Sequence, residues 1–300
     1  MTAFRFHPTA RTRFPLRLLL ALPVLLLLLG ANVRPARAQD HLLFCNRPEK
    51  MRLPGAYADA ALIANRTYTI FFHYKNATNA AGPLVIALHG SRGEPITLDV
   101  RKGVADPQRD PPLAGRQAMA RFLSSPEKRY FGTGGARFAL RLAAKQIASG
   151  VMTVKADQDA RLRIYFRHNR WTVPGARAVA IDAPRRDIQV SLGPDALKQY
   201  VRIGTPEAGM DPRLDGTYGL LYAFRVDAPE GRKVRVSFSP RGGQGGLVGS
   251  VGGLLRQSRI VGAAGWAVFC VARVGANGLV LTTSPFGGVF YPVELVFELL

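Results

Sequence analysis

Recognisable motifs for covalent, metal or nucleotide chemistry are missing from this 300-residue sequence. No G-x-S-x-G elbow presents a serine nucleophile, and the cysteines show no recognisable nucleophile motif, with His41 four residues before Cys45 and no histidine near Cys270. The histidines beyond residue 38 are His41, His73, His89 and His168, and none shows the H-x-H or H-E-x-x-H spacing that sets two imidazoles on one metal. No cofactor and no metal centre is therefore expected. The glycine-rich run 241–253 lacks the G-K-[ST] ending of a phosphate loop, so it reads as a hairpin loop packed on itself by Leu247, Val248, Val251 and Leu254.

Acidic residues are scarce, 20 against 41 Lys and Arg. The acids available for paired-carboxylate hydrolysis, Asp99, Asp106, Asp110, Asp211 and Asp215, are read as lying in Pro/Gly turn contexts, where Asp serves its own backbone hydrogen bonding. A hydrolase of wall or extracellular polysaccharide is thus the rival reading, needing acids that only the fold brings together. Catalytic residues are not assigned.

Apolar runs long enough to span a bilayer are absent as well. The longest, Leu18 to Leu29, falls short of the roughly 20 residues that a spanning helix requires. It follows Arg5, Arg11, Arg13 and Arg17 and precedes Ala36-Arg37-Ala38, so residues 1–38 read as a signal peptide cleaved after Ala38. The expected location is secreted, periplasmic or cell-surface. Taking the six leader arginines from 41 basic residues leaves 35 against 20 acidic ones, which favours anionic partners: an anionic polysaccharide, a wall polymer or an anionic membrane surface, with no specific nucleic acid. With only Cys45 and Cys270 present in an exported chain, a disulfide between them is expected.

What the sequence does hold is period-2 alternation. Tyr68, Ile70, Phe72 and Tyr74 share one face of the segment Thr67–Lys75, and the pattern returns at Phe138, Leu140, Leu142; at Leu162, Ile164, Phe166; at Val234, Val236, Phe238; and at Val293, Leu295, Phe297. Turn-forming clusters fall between these segments, and no βαβ rhythm or short repeat appears. The fold class is all-β, antiparallel and β-sandwich-like, in two packed halves with few short helices. The division runs 39–56 lead-in, 57–193 first half, 194–300 second half. Thr67–Lys75 and Leu84–Leu88 are expected to form a hairpin across "NATNAAGP". Leu113–Leu123 after Pro112 is the best helix, and Asp195–Tyr200 a single turn.

The most unusual local feature is "RLRIYFRHNRW". Alternation sets Arg161, Arg163, Tyr165 and Arg167 on one strand face opposite Leu162, Ile164 and Phe166, with Trp171 nearby. Guanidiniums spaced about 6–7 Å along a sheet suit repeated phosphate, sulfate or carboxylate groups, and the aromatics suit a sugar ring. The functional expectation is a non-enzymatic exported protein that binds an anionic polymer at the cell envelope through these residues. A structural role in surface assembly and an outer-membrane barrel are the remaining alternatives.

Overall fold

The computed structural model describes residues 40–91, 93–182, 185–206 and 216–300. The leader 1–38, its cleavage point, and the acids Asp211 and Asp215 lie outside these.

The alternating segments are strands, and each pairs within one of four sheets. The first half comprises β1 (His41–Arg47), β2 (Lys50–Met51), β3 (Gly55–Leu62), β4 (Thr67–Asn76), β5 (Gly82–Gly90), β6 (Ile96–Val104), helix α1 (Pro111–Ser124), β7 (Lys128–Gly132), β8 (Ala136–Leu142), β9 (Ile147–Ala156), β10 (Ala160–Phe166) and β11 (Arg177–Asp182). The second comprises β12 (Arg185–Ser191), β13 (Lys198–Ile203), β14 (Leu221–Asp227), β15 (Lys233–Pro240), β16 (Val248–Val251), β17 (Leu254–Gln257), β18 (Ala267–Arg273), β19 (Leu279–Thr283) and β20 (Val293–Leu299).

The two halves repeat one topology. In the first, one sheet runs β11-β1-β4-β9-β6-β7, with β2 beside β4, and the other runs β3-β10-β5-β8. In the second the orders are β12-β14-β19-β16-β17 and β13-β20-β15-β18. With β2 and β11 set aside, strands counted along either half occupy the same places. The parallel pair recurs as well, β1 with β4 and β12 with β14, while the other sheet of each half is antiparallel throughout. Two Greek keys wrapped into a double sheet make a jelly roll, and this chain holds two in tandem. Strand β12, inside the segment 57–193 read as the first half, hydrogen-bonds in the second pair of sheets. Residues 39–56, read as a lead-in, contain β1, whose Leu42 to Cys45 are buried.

A jelly roll sends successive strands to opposite sheets, and this overturns the expected hairpin of β4 with β5. Strand β4 pairs β1 and β9, whereas β5 pairs β8 and β10. The crossing is fixed by the fully buried Asn76, whose amide donates to the carbonyls of Ala80 and Ala143 at 3.0 Å while its Oδ1 accepts from Thr78. Strand β4 is also buried on both faces rather than one. Ile70, Phe72 and Tyr74 fill the interior of the first sandwich, while Phe71 on the opposite face belongs to a second apolar cluster that continues through the core of the second sandwich.

Helix α1 begins where the prolines place it. Asp110 caps it by accepting from the Leu113 amide at 3.0 Å, and Pro111 and Pro112 occupy first-turn positions that need no N–H donor. Its Met119, Ala120 and Phe122 enter the shared cluster. The glycine-rich run supplies β16 and a tight hairpin to β17, with Gly252 (φ 55°) and Gly253 (φ 85°) at the two positions of the turn that demand positive φ. Leu247, Val248 and Val251 are buried in the core, but Leu254 is exposed, so the run is part of a sheet and not a loop packed on itself. Asp195–Tyr200 is not a helical turn either, because β13 starts at Lys198.

The expected disulfide is absent: Cys45 and Cys270 are both free. Sequence elimination made them partners, but the tandem fold separates them. Cys45 on β1 lies inside the first sandwich core, whereas Cys270 on β18 packs against the second cluster. Burial pushes the thiols up to about 12 for Cys45 and about 11 for Cys270.

Candidate functional site

The stripe on β10 lies on the outward face of the sheet β3-β10-β5-β8, because Leu162, Ile164 and Phe166 are fully buried in the first core and alternation turns Arg161 and Arg163 away from it. Register then builds the rest of the face. Asp59, Arg163, Ala87 and Arg137 form one row across β3, β10, β5 and β8. Arg161 stands beside His89 in the next row, and Arg141 opposite Pro83 completes the set on β8. Two intervening strand spacings separate Arg163 from Arg137, about 10 Å.

Asp59 is the one carboxylate in these rows. It accepts from Arg161 Nη2 at 2.8 Å and pairs with Arg163 Nε at 3.1 Å. The β10 pair therefore shares one negative charge, while among the described residues no ion pair engages the exposed Arg137 and Arg141. Four guanidiniums against one carboxylate on one four-stranded face make a positive surface whose spacing comes from the backbone.

The remaining expected residues stand elsewhere. Tyr165 is 8% exposed, packed with Ala56 and Val85 and covered by Arg137, whose guanidinium carbon lies 5.9 Å from the ring centre, so its phenol face is not open to a sugar. Arg167 follows the end of β10 with φ 66°, leaves the strand face, and donates to the Ala80 carbonyl at 3.0 Å and the Thr78 hydroxyl at 3.3 Å. The stripe thus loses one cation to a loop and one aromatic to packing. Trp171 remains half exposed at the β3 edge, where its carbonyl accepts from the Ala56 amide and His168 sets an edge against its ring at 4.2 Å.

Arg137, Arg141 and Asp59 are the members that sequence reasoning missed. The signal for the arginines was present, since the alternation of Phe138, Leu140 and Leu142 requires Arg137 and Arg141 to share the other face. What no sequence reveals is that β8 and β10 flank the same strand.

The equivalent face of the second jelly roll has the opposite charge plan. Its central β20 carries Glu294 and Glu298 in place of arginines, bracketed by Lys198, Arg202, Arg235 and Arg241. These cations hold Glu298 below the ordinary carboxylate range, chiefly through hydrogen bonds from Lys198 and Arg235. Each carboxylate there has two cationic partners, so all four of these cations are engaged in ion pairs, as Arg137 and Arg141 are not.

Among the described residues the candidate hydrolytic acids have structural partners. Asp99 pairs with Arg129 and Asp106 with Arg121, each held below the ordinary carboxylate range mainly by that hydrogen bond, and Asp110 is the α1 cap. No group of three or more His, Cys, Asp or Glu among these residues is arranged to hold a metal ion.

No protein-family model matches the chain, and no curated protein matches it. Among solved structures, the N-terminal CBM22-1-CBM22-2 tandem domain of Xyn10C from Paenibacillus barcinonensis is 13% identical, spans 76% of this chain and 81% of its own, and superposes with a TM-score of 0.19. Lac15 from a marine microbial metagenome is 12% identical over 87% of this chain and 63% of its own, with a TM-score of 0.18. Neither superposition is close enough to inform the site.

Proposed function

We propose that the chain, once exported, is a binding protein that holds an anionic polysaccharide or wall polymer on the face of β3-β10-β5-β8. One observation carries this reading: Arg137, Arg141, Arg161 and Arg163 face one way on a single sheet against Asp59 alone. Repeated carboxylate, sulfate or phosphate groups meet this array on two strands and at three levels along them, with arginine supplying forked donors that a point charge does not. Trp171 at the edge offers a ring for stacking beside the charged rows. The hydrolase reading is weakened because Asp99, Asp106 and Asp110 are spent on ion pairs and a helix cap.

The test is retention of the folded mature protein on an immobilised sulfated or carboxylated polysaccharide over a salt series, beside vesicles of anionic lipid. Replacing the four arginines by Gln should abolish polysaccharide retention at moderate salt while circular dichroism stays unchanged. Equal retention of wild type and variant would overturn the assignment, and retention on vesicles alone would replace the polymer with a membrane surface.

A further inference from the structure

On the opposite side of the first sandwich, where β4 turns its second face toward the other jelly roll, the chain forms a partly open cavity of about 360 Å³. Its apolar floor is the stacked pair Phe71 and Tyr218, with ring centres 5.4 Å apart and planes within 17°. Asn46, Glu49 and His73 line one side, and the strap Gly287–Tyr291 lines the other. Tyr218 donates its hydroxyl to the Val289 carbonyl at 2.8 Å, which ties the strap to the floor.

The strap explains its own glycines. A Cβ on Gly287 would come within 2.4 Å of His73 Nδ1, and one on Gly288, already at φ 82°, would come within 2.2 Å of the Pro111 backbone. The pair "GG" lets the backbone lie against an imidazole on one side and the start of α1 on the other.

His73 is 2% exposed, and neither ring nitrogen has a hydrogen-bond partner; Asn46 Oδ1 is buried and equally unpartnered. A buried polar group left unpaired is destabilising, so two side chains in this state beside one cavity mark a place where a partner is wanted. Burial lowers the His73 pKa to about 4, leaving a neutral ring with one donor and one acceptor at pH 7. No Lys or Arg lines the space, and Lys50 and Lys75 act on the Glu49 carboxyl, opposing the rise that burial causes.

We propose that this cavity binds an uncharged, hydroxyl-bearing ring the size of a single sugar unit. Hydroxyls both donate and accept, which answers Asn46 Oδ1 and the two nitrogens of His73 together, and the C–H face of such a ring rests on Phe71 and Tyr218. An anion meets no lining cation here, an ammonium meets a carboxyl whose charged form burial disfavours, and an apolar ligand leaves His73 and Asn46 unpaired. The volume stands at the small end of the roughly 300–1,000 Å³ typical of ligand pockets, and the position between two packed units is a common one for such sites.

The experiment uses the mature protein with glucose and N-acetylglucosamine as uncharged probes, and glucosamine and glucuronate as charged controls. Binding is followed by saturation-transfer NMR and by the ¹⁵N shifts of the His73 ring. At least one uncharged probe should bind at millimolar concentration, at least tenfold more tightly than either control, and should move the His73 nitrogens. His73→Phe should weaken it at least tenfold, while the four-arginine variant keeps it, which separates this site from the polymer face. No binding by either uncharged probe, equal or tighter binding by a charged one, or unmoved His73 resonances would overturn the proposal. The ¹⁵N readout on unmutated protein decides the matter even if His73→Phe misfolds.

Discussion

Gly115→Ala inverts an ordinary expectation. Inside an exposed helix the change stabilises by about 1 kcal/mol, because alanine loses less backbone freedom. Gly115 lies in α1 facing the strap, and a Cβ there would stand 1.7 Å from the Gly287 carbonyl oxygen and 2.6 Å from its carbon. Ordinary contacts fall near 3.5 Å, so about 1.8 Å must be recovered. Both sides of the contact are backbone, and no flexible side chain can swing away. The helix is held by its Asp110 cap and by Met119 and Phe122 in the shared cluster, and the strap by Tyr218 and His73. Overpacking of this kind costs typically 1–3 kcal/mol, at the upper end or beyond where backbone must yield. After the propensity gain, a net loss of about 2 kcal/mol is expected, or roughly 4–8 °C in Tm for a chain of this size. Differential scanning calorimetry of the mature protein measures it, with Gly134→Ala as control, since nothing lies within 4 Å of a Cβ at that position. The control should stay within about 0.5 kcal/mol. An unchanged or raised Tm for Gly115→Ala would refute the packing of α1 against the Gly287–Gly288 strap.

Three further outcomes follow. Unfolding the protein without reductant should expose two alkylatable thiols by mass analysis, while in the native state Cys45 should stay unreactive because it is fully buried and its thiol is pushed up to about 12; a loss of two hydrogens with no free thiol would contradict the separate cores. His73 titrates near 6.5 when unfolded and near 4 in the cavity, so the unfolded state binds the extra proton and stability should fall as pH drops from 6.5 toward 4, by roughly 3 kcal/mol. His73→Phe should remove that fall, whereas Glu49, which shares the cavity and whose carboxyl is raised by burial, acts in the opposite sense, favouring the folded state as pH drops. Asp59→Asn should strengthen polyanion retention and shift its elution to higher salt, because the carboxylate that neutralises Arg161 and Arg163 is gone; weaker retention would mean that Asp59 positions the arginines rather than competing for them.

The strands were legible because burial in a sandwich imposes period 2, and Leu162, Ile164, Phe166 and Val293, Leu295, Phe297 are all fully buried as their alternation requires. The α1 start was legible too, since two prolines after an aspartate leave few other conformations. Sheet assignment was not. The chemistry of "NATNAAGP" serves a hairpin and a crossing between sheets alike, and the choice rests on Asn76 reaching Ala143, a residue far along the chain. The second buried face of β4 was hidden for a similar reason: Phe71 and His73 look like an outer face until another sandwich covers them. The tandem repeat escaped notice because topology needs only a similar order of alternating strands, and equivalent central strands carry Arg161 and Arg163 in one half and Glu294 and Glu298 in the other. Half of the arginine face could be read along β10; the other half required knowing that β5 lies between β8 and β10.

The central claim is that Arg137, Arg141, Arg161 and Arg163 act together on one polyanion. The most direct measurement is an equilibrium titration of the mature protein with a defined sulfated oligosaccharide at several salt concentrations, repeated for the pairs Arg137→Gln/Arg141→Gln and Arg161→Gln/Arg163→Gln. Each exposed cation that neutralises a ligand charge contributes to the slope of log Kd against log salt. Both pairs should therefore weaken binding and flatten that slope, with the β8 pair having the larger effect because Asp59 already offsets part of the β10 charge. A slope unchanged in both variants, with affinity equal to wild type, would contradict the account.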